Sequence, residues 1–178
     1  MSVTEPISQA VIETERLVLR PITRADAGQL KLYGSDKRVA EATATIPHPL
    51  PDGVVEAFIE RALNPERSSD IWVIDPSDDG SQMLGAIAME RMDRDQSEIS
   101  YWVVPAAWNN GFASEAVTAM VEANPQACRT IFGSVFQDNP ASARVLTNAG
   151  FEYIGDAESY SVARDATVPT WTYIKRLD

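Results

Sequence analysis

Two short stretches hold the residues best suited to chemistry. The first, WNNGFASEA (residues 108–116), sets two asparagines and a glycine between two apolar segments. Before it lies EISYWVVP (98–105), with β-branched and aromatic residues at the density of a strand. After it, Phe112, Ala113, Ala116, Val117, Met120 and Val121 recur at the spacing of one helical face, leaving Glu115, Thr118 and Glu122 on the other. The stretch therefore spans a strand-to-helix junction, where the first backbone N–H groups of a helix have no partner inside it. Gly111 lets backbone approach a ligand with no Cβ in the way. The N–H groups of residues 110–114, with about half a positive charge from the helix macrodipole, suit a pyrophosphate. An ordinary turn is the competing reading.

The second stretch is DNPASARVLTNAGFEYIG (138–155). Asn139 before Pro140 gives an N-cap followed by proline at the first helical position. Ser142, Val145, Leu146 and Ala149 share one face, so a hydroxyl lies on the apolar side of that helix. A plain capping asparagine, and a serine bonded back to a preceding carbonyl, would look the same.

The elements that position these stretches follow from periodicity and turn residues. RLVLRPI (16–22) reads as a strand, and Thr23 with Asp26 forms a capping-box-like start for a helix towards Tyr33. The proline-rich IPHPLPDG leads into a helix with Val54, Val55, Phe58, Ile59 and Ala62 on one face. IWVI (71–74) and MLGAIAME (83–90) are strands joined through DPSDDGS. Residues 98–104 form the next strand, followed by the helix after Gly111, the strand IFGSVF (131–136) and a helix over 140–149 that stops at Gly150. FEYIG and TWTYI are the last strands. This order predicts an α/β fold: a mixed sheet of about seven strands flanked by about four helices. No G-x-G-x-x-G or G-x-x-x-x-G-K-[ST] supports a dinucleotide or P-loop site.

A length of 178 residues predicts one domain, residues 1–178, with a sizeable core. No apolar run approaches a membrane span, and MSVTEPISQA has no basic-then-apolar signal region. The lone Cys128 excludes an internal disulfide framework and most structural zinc sites. These features predict a cytoplasmic protein with no membrane partner and no metal. A net charge of −11 argues against nucleic acid as a partner. It permits a cationic substrate, although solubility alone accounts for it.

Taken together, the two stretches resemble the GNAT superfamily of acyl-CoA-dependent N-acetyltransferases. YWVVPAAWNNGFASEA is similar to its pyrophosphate motif, Q/R-x-x-G-x-G/A, which here runs from Trp108 to Ala113. NPASARVLTNAGFEYIG is similar to the helix motif that follows. IETERLVLRPITRADAGQL (12–30) resembles the N-terminal signature of the ribosomal-protein N-terminal acetyltransferase-like branch. The resemblance implies a single domain with a mostly antiparallel sheet, splayed between the fourth and fifth predicted strands. It implies acetyl-CoA as co-substrate, with Asn109, Asn110, Gly111, Phe112, Ala113 and Ser114 around the pyrophosphate. Val103, Val104 and Asn139 would meet the pantetheine arm, and Ser142 the thioester sulfur.

Two departures matter. Trp108 replaces the usual Gln or Arg, and Leu146 stands where many members carry the tyrosine that protonates the thiolate. Ser142 is therefore the substitute candidate, with Tyr160 behind it. Proton removal from the attacking amine needs a base; Glu98 is the first choice and Glu158 the rival. His48 sits in a proline-rich loop that would line the acceptor groove, and Cys128 lacks the neighbours of a nucleophile. The expected activity is acetyl transfer to a primary amine by direct attack in a ternary complex, with a protein or peptide N-terminus favoured. The alternatives are a small cationic amine, such as a polyamine or aminoglycoside, and a non-catalytic acyl-CoA-binding regulatory domain. Either a monomer or a homodimer is expected, the latter through the aromatic strand near Trp171.

Overall fold

The computed structural model describes residues 9–177. The reading of the first eight residues, within MSVTEPISQA, lies outside the described residues. One eight-stranded sheet organises the rest, in spatial order β1-β2-β3-β4-β5-β6-β8-β7. Its strands are β1 (Ile12–Glu13), β2 (Val18–Pro21), β3 (Ser69–Asp75), β4 (Gly85–Met92), β5 (Gln96–Val103), β6 (Thr130–Phe136), β7 (Glu152–Ser161) and β8 (Ala166–Arg176). Every neighbouring pair is antiparallel except β5 with β6, which is parallel.

Helices α1 (Ala27–Gly34) and α3 (Val54–Leu63) cover one face of the sheet, while α2 (Lys37–Ala42) contributes Arg38, Val39, Glu41 and Ala42 to the groove of the candidate active site. Helices α4 (Phe112–Ala123) and α5 (Pro140–Asn148) cover the other. Each face has its own apolar core. Ile22, Leu30, Val55, Ile59, Ile71 and Val73 form the first; Trp72, Ile74, Ile99, Met120, Ile131 and Leu146 belong to the second. Successive residues of a strand point to opposite faces, so Ile71 and Trp72 enter different cores. This two-sided burial explains why β3 reads as a continuous apolar run instead of an alternating one. Fully burying a side chain such as Ile59 contributes about 1.5–3 kcal/mol.

The capping reading of Thr23 and Asp26 is borne out, with an addition. The Thr23 N–H donates to Asp26 over 2.8 Å, while the same carboxylate takes two hydrogen bonds from Arg20. Arg20 also donates to Asp75, whose side chain is fully buried. One guanidinium thus ties the first helical turn to β2 and β3.

One relationship within the sheet sets up the site. β5 and β6 pair only between residues 96–99 and 130–133. Beyond Ile99 and Gly133 the two strands part, and a slot opens between them. A Cβ at Gly133 would lie 2.9 Å from Leu146 Cδ1, so glycine here lets α5 pack close to the sheet just where the slot begins. The splay expected between the fourth and fifth predicted strands is this one. The strand bearing Trp171 is β8, paired on both edges with β6 and β7.

Candidate active site

On the α4 side of the slot, the chain leaves β5, makes a 3-10 turn (Pro105–Ala107) and enters α4 through Gly111. Asn109 and Gly111 both adopt the left-handed backbone, with φ of 64° and 76°. Asn110 Nδ2 donates to the carbonyls of Ala107 and Trp108, which fixes the turn. No side chain caps the N-terminus of α4. Its N–H groups therefore face outward with the positive end of the macrodipole behind them.

Arg16, ion-paired with Glu115, sets its guanidinium beside this turn, and the sequence reading missed its role. Its Nη1 donates to the Asn110 carbonyl over 2.9 Å, and its guanidinium stacks 4.4 Å from the Phe112 ring centroid. Glu115 holds it there, accepting from Arg16 Nε, from the Arg16 N–H and from Thr14 Oγ1. Burial works against the Glu115 charge, but these hydrogen bonds hold its carboxyl below the usual range. The sequence put Glu115 on the outer helical face; in the fold it joins the T-E-R-L stretch to the glycine turn.

A groove of about 720 Å³ starts at this turn and is lined by Val103, Asn109, Gly111, Phe112, Ala113 and Ser114 before reaching Asn139 and Ser142. Two predicted cofactor residues stand apart from it. The Asn110 side chain is spent on the turn and its carbonyl on Arg16. Val104 donates its N–H to Leu84 and accepts from Ala107 through its carbonyl, so its backbone serves the protein's own ladder. Alternate residues of a strand turn their N–H groups to opposite edges, which leaves Val103 facing the slot. The Val103 carbonyl accepts from Trp108 Nε1 over 2.7 Å, giving Trp108 a structural task where the family motif has Gln or Arg.

Asn139 is the N-cap of α5, its side chain accepting from the Ser142 N–H over 3.2 Å. Ser142 Oγ donates to the Tyr101 hydroxyl over 3.1 Å, and that hydroxyl donates to the Ser142 carbonyl over 2.8 Å. Burial pushes the Tyr101 pKa well above its ordinary value. Tyr101 was unforeseen as a site residue, because a tyrosine in a strand reads as core. Leu146 is fully buried and takes no part in polar chemistry.

A second cavity, about 370 Å³, lies on the opposite face of the sheet beneath α1, α3 and residues 43–50. Glu98, Ser100 and Trp102 of β5 line it, as do Glu90 of β4 and Ser134 of β6. The Glu98 carboxyl is raised above its ordinary pKa, first by desolvation and then by the charge of Glu90, its direct cross-strand partner. The cavity and the groove meet at Ala42, Tyr101, Trp102, Asn139 and Ser142, the mouth of the slot.

The remaining candidates lie elsewhere. Ser159 lines the cavity, so its strand neighbours Glu158 and Tyr160 point to the other face. Tyr160 hydrogen-bonds Asp165. Half-buried His48 lies in the loop over the cavity but does not line it. Cys128 is buried and donates to Asn124 Oδ1. Among the described residues no helix is long and apolar enough to cross a membrane, and no group of three His, Cys, Asp or Glu side chains is placed to hold a metal.

Comparison with known proteins gives this geometry a family. The chain is 30% identical over 172 residues to N-acetyltransferase YoaA of Bacillus subtilis (strain 168), covering 92% of this chain and 94% of that protein. Its fold matches the microcin C7 self-immunity acetyltransferase MccE, solved with acetyl-CoA and AMP, at a TM-score of 0.81 and 15% identity, over 97% of this chain and 99% of that one. It also matches the ribosomal-protein-S5-alanine acetyltransferase of Vibrio fischeri at a TM-score of 0.78 and 19% identity, over 96% and 98%. Residues 16–152 match the acetyltransferase (GNAT) domain family. The chain therefore belongs to the GNAT family and is an acyl-CoA-dependent N-acetyltransferase.

Proposed function

We propose that residues 1–178 form one catalytic domain that moves the acetyl group of acetyl-CoA to a primary amine by direct attack, without an acetylated enzyme. The observation that carries this reading is the meeting of two cavities at one slot, with a raised carboxylate on one face and a serine–tyrosine pair on the other. The turn at Gly111 fits a pyrophosphate: a helix N-terminus without a side-chain cap, a glycine at positive φ, and the Arg16 guanidinium alongside. Val103 offers its backbone N–H to the pantetheine arm, its carbonyl being taken by Trp108, and Asn139 stands at the slot mouth.

In the reaction the amine nitrogen bonds to the thioester carbonyl carbon and the C–S bond breaks. The amine enters as an ammonium and must lose a proton before it attacks. Glu98 takes that proton, directly or through a water, and its raised pKa makes it a stronger base than a solvated glutamate. The sulfur leaves as thiolate on the α5 side. As charge builds, Ser142 Oγ turns its single proton from Tyr101 to that sulfur and accepts from the Tyr101 hydroxyl instead. The second proton of the nitrogen, shed as the C–S bond breaks, passes through water and Ser142 to complete the free thiol. Acid and base thus act from opposite faces of the sheet.

Calorimetry with acetyl-CoA, combined with a free-thiol assay over a panel of amines and peptides, tests this reading. Binding with amine-dependent thiol release is expected. Binding without turnover on any acceptor would make the protein an acyl-CoA-binding module, and absence of binding would overturn the cofactor site.

A further inference from the structure

The amine reading leaves two acceptor classes open, a peptide N-terminus and a small cationic amine, and the floor of the acceptor cavity separates them. Glu90 and Glu98 stand directly opposite each other on β4 and β5. Both are exposed, both line the cavity, and neither forms an ion pair among the described residues. Two like charges facing each other across a ladder destabilise the pair. Among the described residues the only cation lining the cavity is Arg61, exposed on α3 and with no ion pair to either glutamate. The protein itself therefore leaves two adjacent negative charges unneutralised in a partly enclosed space.

A second observation in the same cavity points to a ligand. Thr170 of β8 is 2% exposed, yet its Oγ1 has no hydrogen-bond partner. It lines the cavity beside Phe136, its partner across β6, on the far side of the slot from the glutamates. An unpaired buried hydroxyl carries a desolvation cost that a ligand atom can relieve. The floor is thus anionic at one end and offers an unpaired hydroxyl at the other, with Ser134 and Ser159 lining the space as well.

Dimensions bound what can fit. A cavity of about 370 Å³ is at the small end of the range for small-molecule sites. The slot opens beyond Ile99, so the reacting nitrogen lies about one cavity-facing position past Glu98 along β5, or about 7 Å. Four or five methylenes bridge that distance.

Resting on the amine-acetylation reading, we propose that the acceptor is a small aliphatic diamine or polyamine. Its reacting amine enters the slot while a second ammonium sits against Glu90 and Glu98, with Thr170 taking a hydrogen bond from the amine end. Glu90 is then the residue that selects a dication over a monocation, and Glu98, about 7 Å from the reacting nitrogen, removes its proton through a water rather than by direct contact.

The test uses the full chain, acetyl-CoA and four acceptors: 1,4-diaminobutane, spermidine, n-butylamine, and a C-terminally amidated tetrapeptide with a free N-terminus. Wild type should show kcat/KM at least about tenfold higher for the diamines than for butylamine or the peptide, the range of one hydrogen bond to a charged group. In Glu90→Gln, the diamine-to-butylamine ratio should fall by about tenfold, chiefly through KM. Thr170→Val should lower kcat/KM for the diamines with its fold intact by circular dichroism. Preference for the peptide, or a diamine preference that survives Glu90→Gln in folded protein, would overturn the proposal and leave amine acetylation standing. Turnover of no acceptor by wild type would overturn both.

Discussion

The hydroxyls of Ser142 and Tyr101 lie 3.1 Å apart, joining the apolar side of α5 to the one strand whose neighbour has parted from it. Tyr101 also donates to the Ser142 carbonyl, so it fixes both the backbone and the hydroxyl of the serine. Ser142→Ala is expected to lower kcat by about ten- to a hundredfold, less than the loss of a full oxyanion donor. Tyr101→Phe should give a smaller loss by freeing the serine to turn. The double variant should be no worse than Ser142→Ala alone, because the tyrosine acts through the serine. Losses that multiply independently would show that Tyr101 meets the substrate by itself.

Gly111→Asp is expected to weaken acetyl-CoA binding by at least about tenfold, since it sets a carboxylate where two phosphates approach a helix N-terminus. The position is surface-exposed, so the fold should persist. A Cβ there lies 3.4 Å from Arg16 Nη2, so the new carboxylate would also draw Arg16 away from its present place. Calorimetric titration with acetyl-CoA, beside a melting curve, checks both statements. Unchanged affinity in a folded variant would reduce the stretch to an ordinary turn.

The carboxyl of Glu98 sits above its ordinary pKa through desolvation and the charge of Glu90. A base with a raised pKa is ionised only at higher pH, so the acid limb of kcat/KM should lie above the range of a solvated glutamate. Glu90→Gln removes one of the two causes and should move that limb to lower pH. Glu98→Gln should abolish the limb and most of the rate. A limb that stays in place in Glu90→Gln would assign it to another group.

Arg20 bridges Asp26 and the fully buried Asp75, so Arg20→Met would strand a carboxylate in the interior. The expected destabilisation is about 3 kcal/mol, in the range for breaking a buried pair from one side. Burial opposes ionisation of Asp75, but hydrogen bonds from Arg20 and Ser77 depress its pKa overall. A depressed carboxylate stabilises the fold above its unfolded pKa, and that contribution is lost as pH falls. The gap between wild type and variant in urea midpoints should therefore be full near neutrality and narrow below about pH 4. A gap independent of pH would point to lost packing alone.

Much of the fold was legible because its elements carry strong local signals. The β-branched and aromatic density of β5, the turn residues between β3 and β4, the Asn139–Pro140 cap and the Gly111 junction are each written in a few adjacent residues. Elements without such a signal were missed. β1 is two residues long, and α2 has six residues with no apolar face to mark it. β7 and β8 run well beyond FEYIG and TWTYI, because GDAESYS is polar and looks like loop until β8 pairs with it. The candidate site divides the same way. Gly111, Asn139 and Ser142 stand out by type and spacing, and Glu98 enters as a candidate only once the resemblance calls for a base. Tyr101, Arg16 and Glu90 owe their places to strand register and to contacts some 40 to 94 residues away in sequence.

The account turns on direct transfer from acetyl-CoA to the amine, and one measurement reaches it without further assumptions. Wild-type protein is mixed with acetyl-CoA carrying a labelled acetyl group, first alone and then with a competent amine, and the label is followed in a single turnover. All of the label should pass to the amine only when the amine is present, with intact protein never gaining the mass of an acetyl group. Label retained on the protein before the amine is added, at Ser142, Cys128 or elsewhere, would contradict direct attack.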